Sequence, residues 1–192
     1  MKIPSQVVIA VGCGLLLSLA GCAHKHKKGE TSWTSSDPWQ LKEQMILQRN
    51  YAAADQLASQ LERARVRKQD PLLVATVADV TYLEGSSAFG RITSEQVASR
   101  LAQLGFNITE VKVRGSLYVQ KGSGEYILSR DVEEIASQHD AVAVVSGTYA
   151  VGGMENMVSL RVIELATRKI LAGYDYAVPN VPRLFPNPRI LY

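Results

Sequence analysis

Residues 141–151 read AVAVVSGTYAV, an apolar and largely β-branched run set between Asp140 and the turn pair Gly152-Gly153. It is too short for a core helix, so it reads as a strand buried on both faces. Downstream, Val158, Leu160 and Val162 alternate with Ser159, Arg161 and Ile163. After the turn Ala166-Thr167-Arg168, Ala172, Tyr174, Tyr176 and Val178 alternate with Gly173, Asp175 and Ala177. Three strand-like runs joined by short turns predict an antiparallel meander.

Upstream, Leu72–Val80 (LLVATVADV) has the same character and predicts a second buried strand. A Gly-Ser-Ser turn then leads to a helix over 88–104, with Ser86 or Ser87 as cap, Phe89, Val97, Leu101 and Leu104 as apolar stripe, and Gly105 just past its end. Ile108–Arg114 alternates polar and apolar residues, which suits a strand toward a sheet edge. Leu117–Gln120 can add a short strand before the turn Lys121-Gly122-Ser123-Gly124, and Ser129 caps a helix that turns Val132, Ile135 and Ala136 inward. In front of all this, Asp37-Pro38 supplies a cap and a first-turn proline for a helix to about Gln48. Asn50 caps a second, carrying Ala54, Leu57, Leu61 and Ala64 inward with Asp55 and Glu62 facing out, and Asp70-Pro71 ends it. The expected class is α/β (α+β): a single mixed β-sheet with a β-α-β-α-β core, a C-terminal antiparallel meander, helices packed on the sheet and an extra N-terminal helical segment.

The two ends do not belong to this domain. Lys2 precedes the apolar run Val7–Leu19, which is too short to span a bilayer as a helix of about 20 residues, and Ala20-Gly21 offers small residues at a cleavage point. Leu19-Ala20-Gly21-Cys22 resembles the lipobox of bacterial lipoproteins, which implies cleavage between Gly21 and Cys22 and acylation of Cys22. Cys13 is a poorer competitor, because it leaves almost no apolar segment before it. The resemblance also implies an outer-membrane address, since Ala23 replaces the aspartate that retains lipoproteins in the inner membrane. Residues 1–21 are thus expected to be a signal peptide and 22–36 a lipidated tether. Lys25, Lys27 and Lys28 in the tether can meet anionic headgroups or simply keep it solvated, and His24 and His26 have no further ligand nearby to complete a metal site. At the other end, Pro179, Pro182, Pro186 and Pro188 predict an extended tail over 179–192, either laid along its own domain or handed to a partner.

Composition narrows the chemistry. Of 192 residues with a formal charge of +3, the cations are spread along the chain apart from the tether, which excludes a nucleic-acid-binding face. With Cys22 acylated, the mature chain has no disulfide, thiol nucleophile or cysteine metal site. His139 beside Asp140 reads as a solvated helix end, and no Gly-x-Ser-x-Gly elbow is present. Gly122-Ser123-Gly124 lacks the spacing of a dinucleotide or phosphate loop, and Glu133-Glu134 falls on a solvated helix face. The expectation is a non-enzymatic protein with no catalytic residue, cofactor or metal. Asp79, Arg91 and Arg130 lie at element ends as candidate ion-pair or partner-contact residues.

Tyr51-Ala52-Ala53-Ala54-Asp55-Gln56-Leu57, Ser86-Ser87-Ala88-Phe89-Gly90-Arg91, Gly124-Glu125-Tyr126-Ile127-Leu128-Ser129-Arg130 and Ser146-Gly147-Thr148-Tyr149 resemble, in order, the successive motifs of the FlgO family of outer-membrane lipoproteins. The resemblance covers about residues 50–178 and gives a FlgO-like domain over 37–178. It implies a non-catalytic role in flagellar assembly, stability or motility from the periplasmic face of the outer membrane. Implied partners are the membrane through the lipid anchor, flagellar basal-body or ring proteins and further copies of the chain as a homo-oligomer, with no small-molecule substrate. The β-α-β core and terminal meander also look like periplasmic lipoproteins that activate penicillin-binding proteins or assemble secretion pores, which gives the alternative of a cell-wall or secretion adaptor.

Overall fold

The computed structural model describes residues 37–83, 87–110, 118–119, 126–127, 134–135 and 137–185. Among the described residues, helices α1 (Pro38–Arg63) and α2 (Ala88–Gln103) accompany eight strands: β1 (Leu72–Val74), β2 (Ala78–Asp79), β3 (Ile108–Glu110), β4 (Tyr118–Val119), β5 (Tyr126–Ile127), β6 (Ala143–Ala150), β7 (Glu155–Glu164) and β8 (Ile170–Pro179). The main sheet runs β3-β1-β6-β7-β8, with β2 also paired to β6. β1 is parallel to β3 and to β6, whereas β6, β7 and β8 are antiparallel, so the mixed sheet and terminal meander take the form expected. β4 and β5 form a separate two-stranded hairpin.

Local signals explain most element ends. The Asp37 carboxylate accepts from the Trp39 N–H at 2.9 Å and Pro38 occupies the first turn, where its missing N–H costs no helical bond. Ser87, the second of the two candidate caps, accepts from the Gly90 N–H at 2.9 Å. Gly105 follows α2 with φ +89, a left-handed conformation that glycine adopts without strain.

Three expectations need correction. The helix does not stop near Gln48: α1 is continuous through Asn50, which is fully buried. The Asn50 side chain is taken by tertiary partners rather than by a helix end, giving a hydrogen bond to Gln96 Oε1 (2.7 Å) and accepting one from the Tyr176 hydroxyl (2.6 Å). Ala64, assigned to the inward stripe, is exposed as the residue that closes the helix. The apolar run 72–80 is two strands, β1 and β2, because Val77 N–H leaves the ladder for the Ser94 hydroxyl of α2 at 2.8 Å. There the helix backbone comes so close that a Cβ on Gly90 would lie 2.0 Å from the Val77 carbonyl oxygen.

α1 and α2 cover one face of the sheet. Ala53, Leu57 and Leu61 of α1, with Phe89, Val97 and Leu101 of α2, pack against Leu72, Val145, Val158, Leu160, Val162 and Val178 in the principal core. A second cluster on the opposite face joins Leu73, Ala75, Val144 and Ile163, with Ile135 from the helical residues 134–135 packed against it. The tail also departs from expectation. Instead of running extended, residues 181–185 turn back, with the Leu184 and Phe185 N–H groups both donating to the Val181 carbonyl at 3.0 Å. Val181 is buried and Phe185 meets Phe89 edge-on at 5.4 Å, so the described part of the tail lies on its own domain.

Candidate interaction surfaces

The residues that the sequence offered for lipidation and cleavage, Cys22 and Gly21, lie outside the described residues, as do Lys25, Lys27, Lys28, His24, His26, Arg130 and Glu133. Asp79 is engaged in its own turn, where its carboxylate accepts from the Thr81 N–H (2.8 Å) and hydroxyl (2.7 Å). His139 is exposed, with its backbone N–H donating to Ile135. Among the described residues no group of three or more His, Cys, Asp or Glu is placed to hold a metal ion. No described helix is long and apolar enough to cross a membrane.

Asp55 is not merely a solvated carboxylate on α1. It receives both Nε and Nη2 of Arg100 (2.8 and 3.3 Å), a two-pronged bridge from α1 to α2, and that hydrogen bonding raises the Arg100 pKa further. Glu62 in turn pairs with Lys68 at 3.1 Å. The Asp55–Arg100 bridge ties α1 to α2, whereas the Glu62–Lys68 pair joins the end of α1 to the loop that follows it.

Among the described residues, the sheet has one edge at β3 and the other at β8. A free edge is a template for a further strand unless something occupies its outward N–H and C=O groups. On β8, α1 does so. Gln60 donates its amide to the Gly173 carbonyl (2.9 Å) and accepts from the Gly173 N–H (3.1 Å), which imitates the pairing of a neighbouring strand. Four residues on, Arg49 donates to the Ala177 carbonyl, and β8 ends on Pro179, which has no N–H to offer. Nothing in the periodicity of α1 marks Gln60 or Arg49 for this task, since both read as ordinary solvated positions.

Across the uncovered side of β7 and β8, Arg161 lies over Gly173, where an added Cβ would come within 3.1 Å of the arginine side chain. It then bridges to Asp175 at 2.8 Å. The hydrogen bond from Arg161, with another from Ser159, holds the Asp175 carboxyl below its usual range. Among the described residues, exposed apolar side chains include Trp39, Leu41, Met45 and Leu47 on the first half of α1, Val151, Met154 and Met157 around the β6–β7 turn, and Val80 and Tyr82 after β2. Among the described residues, the start of α1 and the β6–β7 turn therefore offer apolar surface, while outward groups of β8 are occupied at Gly173 and Ala177.

Residues 51–183 match the family described as FlgO protein. The chain belongs to the FlgO family. The family match runs five residues past Val178 to include the turn that carries Val181. Among solved structures, this FlgO-family chain is similar to the LpoB C-terminal domain from Salmonella enterica at 17% identity, with 67% of this chain and 96% of that one covered and a TM-score of 0.50. The LpoB C-terminal domain from Escherichia coli aligns at 18% identity over 68% of this chain and 98% of that one, with a TM-score of 0.46. The PelC dodecamer from Paraburkholderia phytofirmans aligns at 15% identity over 62% and 77%, with a TM-score of 0.39. At these identities the likeness concerns architecture alone. No curated protein matches the chain.

Proposed function

We propose that this FlgO-family protein is a non-catalytic lipoprotein, cut between Gly21 and Cys22, acylated on Cys22 and held at the periplasmic face of the outer membrane. There it serves flagellar assembly, stability or motility through contacts with basal-body or ring proteins. The family match over residues 51–183 carries this reading. The lipobox-like Leu19-Ala20-Gly21-Cys22 and the following Ala23 support the address. Several acyl chains on one cysteine make detachment rare, because each buried methylene contributes about 0.8 kcal/mol. Confinement then raises the effective concentration toward neighbouring anchored proteins, so contacts of modest area suffice.

The test is a deletion strain complemented with either the native chain or Cys22→Ser. The native chain is expected to restore flagellation and swimming and to fractionate with the outer membrane; Cys22→Ser is expected to fold, leave that fraction and fail to restore swimming. Unchanged swimming in the deletion strain would remove the flagellar role, and outer-membrane retention of the serine variant would remove the anchor. A second reading, an adaptor of cell-wall synthesis of the penicillin-binding-protein activator kind or of secretion-pore assembly, draws support from the shared core and meander. It predicts that the purified protein stimulates a cell-wall synthase in trans, which a ring component would not do.

A further inference from the structure

The two ends of the sheet differ in what they show to solvent. Arg49 of α1 pairs with Glu155, the first residue of β7, at 3.5 Å and donates to the carbonyl of Ala177 near the end of β8. Eleven residues of α1 precede Arg49, about 16 Å of helix at about 1.5 Å each, while β8 has only Val178 and Pro179 beyond Ala177. The start of α1 therefore stands at the end of the sheet where β6 turns into β7. The end of β2 lies there too, with the Val80 N–H donating to the Tyr149 carbonyl at 2.9 Å. Leu184 joins them, lining a groove with Ile46 and Leu47 of α1. Among the described residues, every exposed large apolar side chain except Val142 and Ile170 lies at this end, and Met154 in its turn is 86% exposed.

The helix start is not shaped to face water. By helical spacing Trp39 falls in line with Ile46, Leu41 and Met45 fall on the side away from it, and Leu47 falls between. A helix that is apolar on every side is one that is covered all round, yet of these five residues the domain buries only Ile46. Lys42 lays its ammonium over the Trp39 ring at 4.8 Å, which makes an aromatic body with a charged rim, a composition suited to the level of lipid headgroups. Chain length selects the occupant. With Cys22 acylated, fifteen residues at no more than about 3.6 Å each join it to Asp37, which keeps this end within about 54 Å of the bilayer. We propose that this end of the domain docks on the lipid surface that anchors Cys22, with Trp39, Leu41, Met45 and Met154 entering the headgroup–acyl boundary. The inference rests on the anchoring part of the function proposed above. Tethering supplies the proximity, so contacts too weak to recruit a free protein suffice to hold the domain down. Asp37 and Glu43 outnumber Lys42 in the first turns, so apolar insertion rather than charge makes the contact. Docked this way, the domain turns its far end, where β7 leads into β8, toward the periplasm.

The test uses the acylated full chain in vesicles of phosphatidylethanolamine and phosphatidylglycerol, with Trp33→Phe leaving Trp39 as the single tryptophan. Flotation with the vesicles reports the anchor, and quenching of Trp39 by brominated acyl chains reports docking. An apolar face at such a surface lies about 5–10 Å into the headgroup–acyl boundary, so emission is expected to fall about twofold and to stay quenched in raised salt. Leu41→Asp with Met154→Asp is expected to restore most of the emission while the chain still floats. Both side chains are exposed, and an unchanged circular dichroism spectrum checks the fold. Ile170→Asp, at the far end, is expected to leave the quenching as it was. A chain that floats with Trp39 unquenched overturns the proposal and leaves the anchor standing, whereas a chain that does not float removes both. Quenching that persists in the double aspartate variant also overturns it. So does protection of Trp39 from an aqueous quencher that arises only when envelope proteins are added back, which assigns this end to a protein.

Discussion

The two faces of the sheet are built on different principles although the same strands make both. On β7, Leu160 points into the helix-covered core and is 1% exposed, while its neighbours Ser159 and Arg161 point to the other side, where Arg161 pairs with Asp175. The covered face buries apolar volume and one polar network; on the opposite face, the described residues form a smaller buried cluster near Val144 and Ile163, while Met157 at the other end is exposed. Stability is therefore concentrated on the helix side, and the hairpin end bearing Met154 and Met157 is left to vary at small cost to the fold. The β8 edge adds a further asymmetry, since α1 reaches around the covered side to occupy it with Gln60 and Arg49.

Truncating neighbours on β7 breaks this comparison most sharply. Leu160→Ala removes a fully packed side chain and leaves a cavity, with an expected loss of about 2–5 kcal/mol. Ser159→Ala, facing the other way, is expected to stay within about 0.5 kcal/mol. Urea unfolding of the full chain with an unchanged slope checks both. Comparable losses from the two variants would mean that the uncovered face carries as much of the stability as the covered one.

The polar network under α1 comes next. Asn50→Ala leaves the Gln96 and Tyr176 polar groups without a shared partner in a buried site, with an expected cost of about 1–3 kcal/mol. Burial, with Tyr174 stacked beside it, already pushes the Tyr176 phenol up, so the neutral hydroxyl is the form that donates to Asn50. A double-mutant cycle of Asn50→Ala with Tyr176→Phe should show that the two losses do not add, since both cut the same bond. Simple additivity would show that the Tyr176–Asn50 bond contributes nothing to the cost and that Asn50 acts through its Gln96 contact.

The network also marks where the sequence stops being readable. The meander was legible because alternation in Val158–Val162 and Ala172–Val178 is a local pattern, and the caps at Asp37, Ser87 and Gly105 are local chemistry. Asn50 looked like a helix start because asparagine favours that position; its actual partners stand 46 and 126 residues away, beyond any window of periodicity. The break between β1 and β2 has the same origin, since the run from Leu72 to Val80 is largely apolar and the approach of Gly90 and Ser94 from α2 is what interrupts its ladder. The interaction surfaces were hidden for a related reason. Gln60 and Arg49 carry no signal until β8 lies beside them, whereas the family motifs, being contiguous, could be recognised in order.

A small effect on the same face as Ser159 is set by pH. Hydrogen bonds from Arg161 and Ser159 hold the folded Asp175 carboxyl below its ordinary value of 3.8. A group whose folded pKa is depressed stabilises the fold above its unfolded pKa, and that contribution is lost as pH falls through the folded value, because the unfolded chain binds the proton first. At neutral pH, Asp175→Asn is therefore expected to be less stable than the native chain by under about 1 kcal/mol, since the carboxylate is 63% exposed and solvent screens the pair. As pH falls below the ordinary value of 3.8 and through the lower folded value the two should converge, and added salt at neutral pH should narrow the gap. Urea midpoints at pH 7 and at successively lower pH, down to where the native chain's midpoint stops responding to acid at this carboxyl, provide the check. A difference that persists unchanged across that range would mean that Asp175 acts by shape on the strand surface, and that the open face owes nothing to its charge pair.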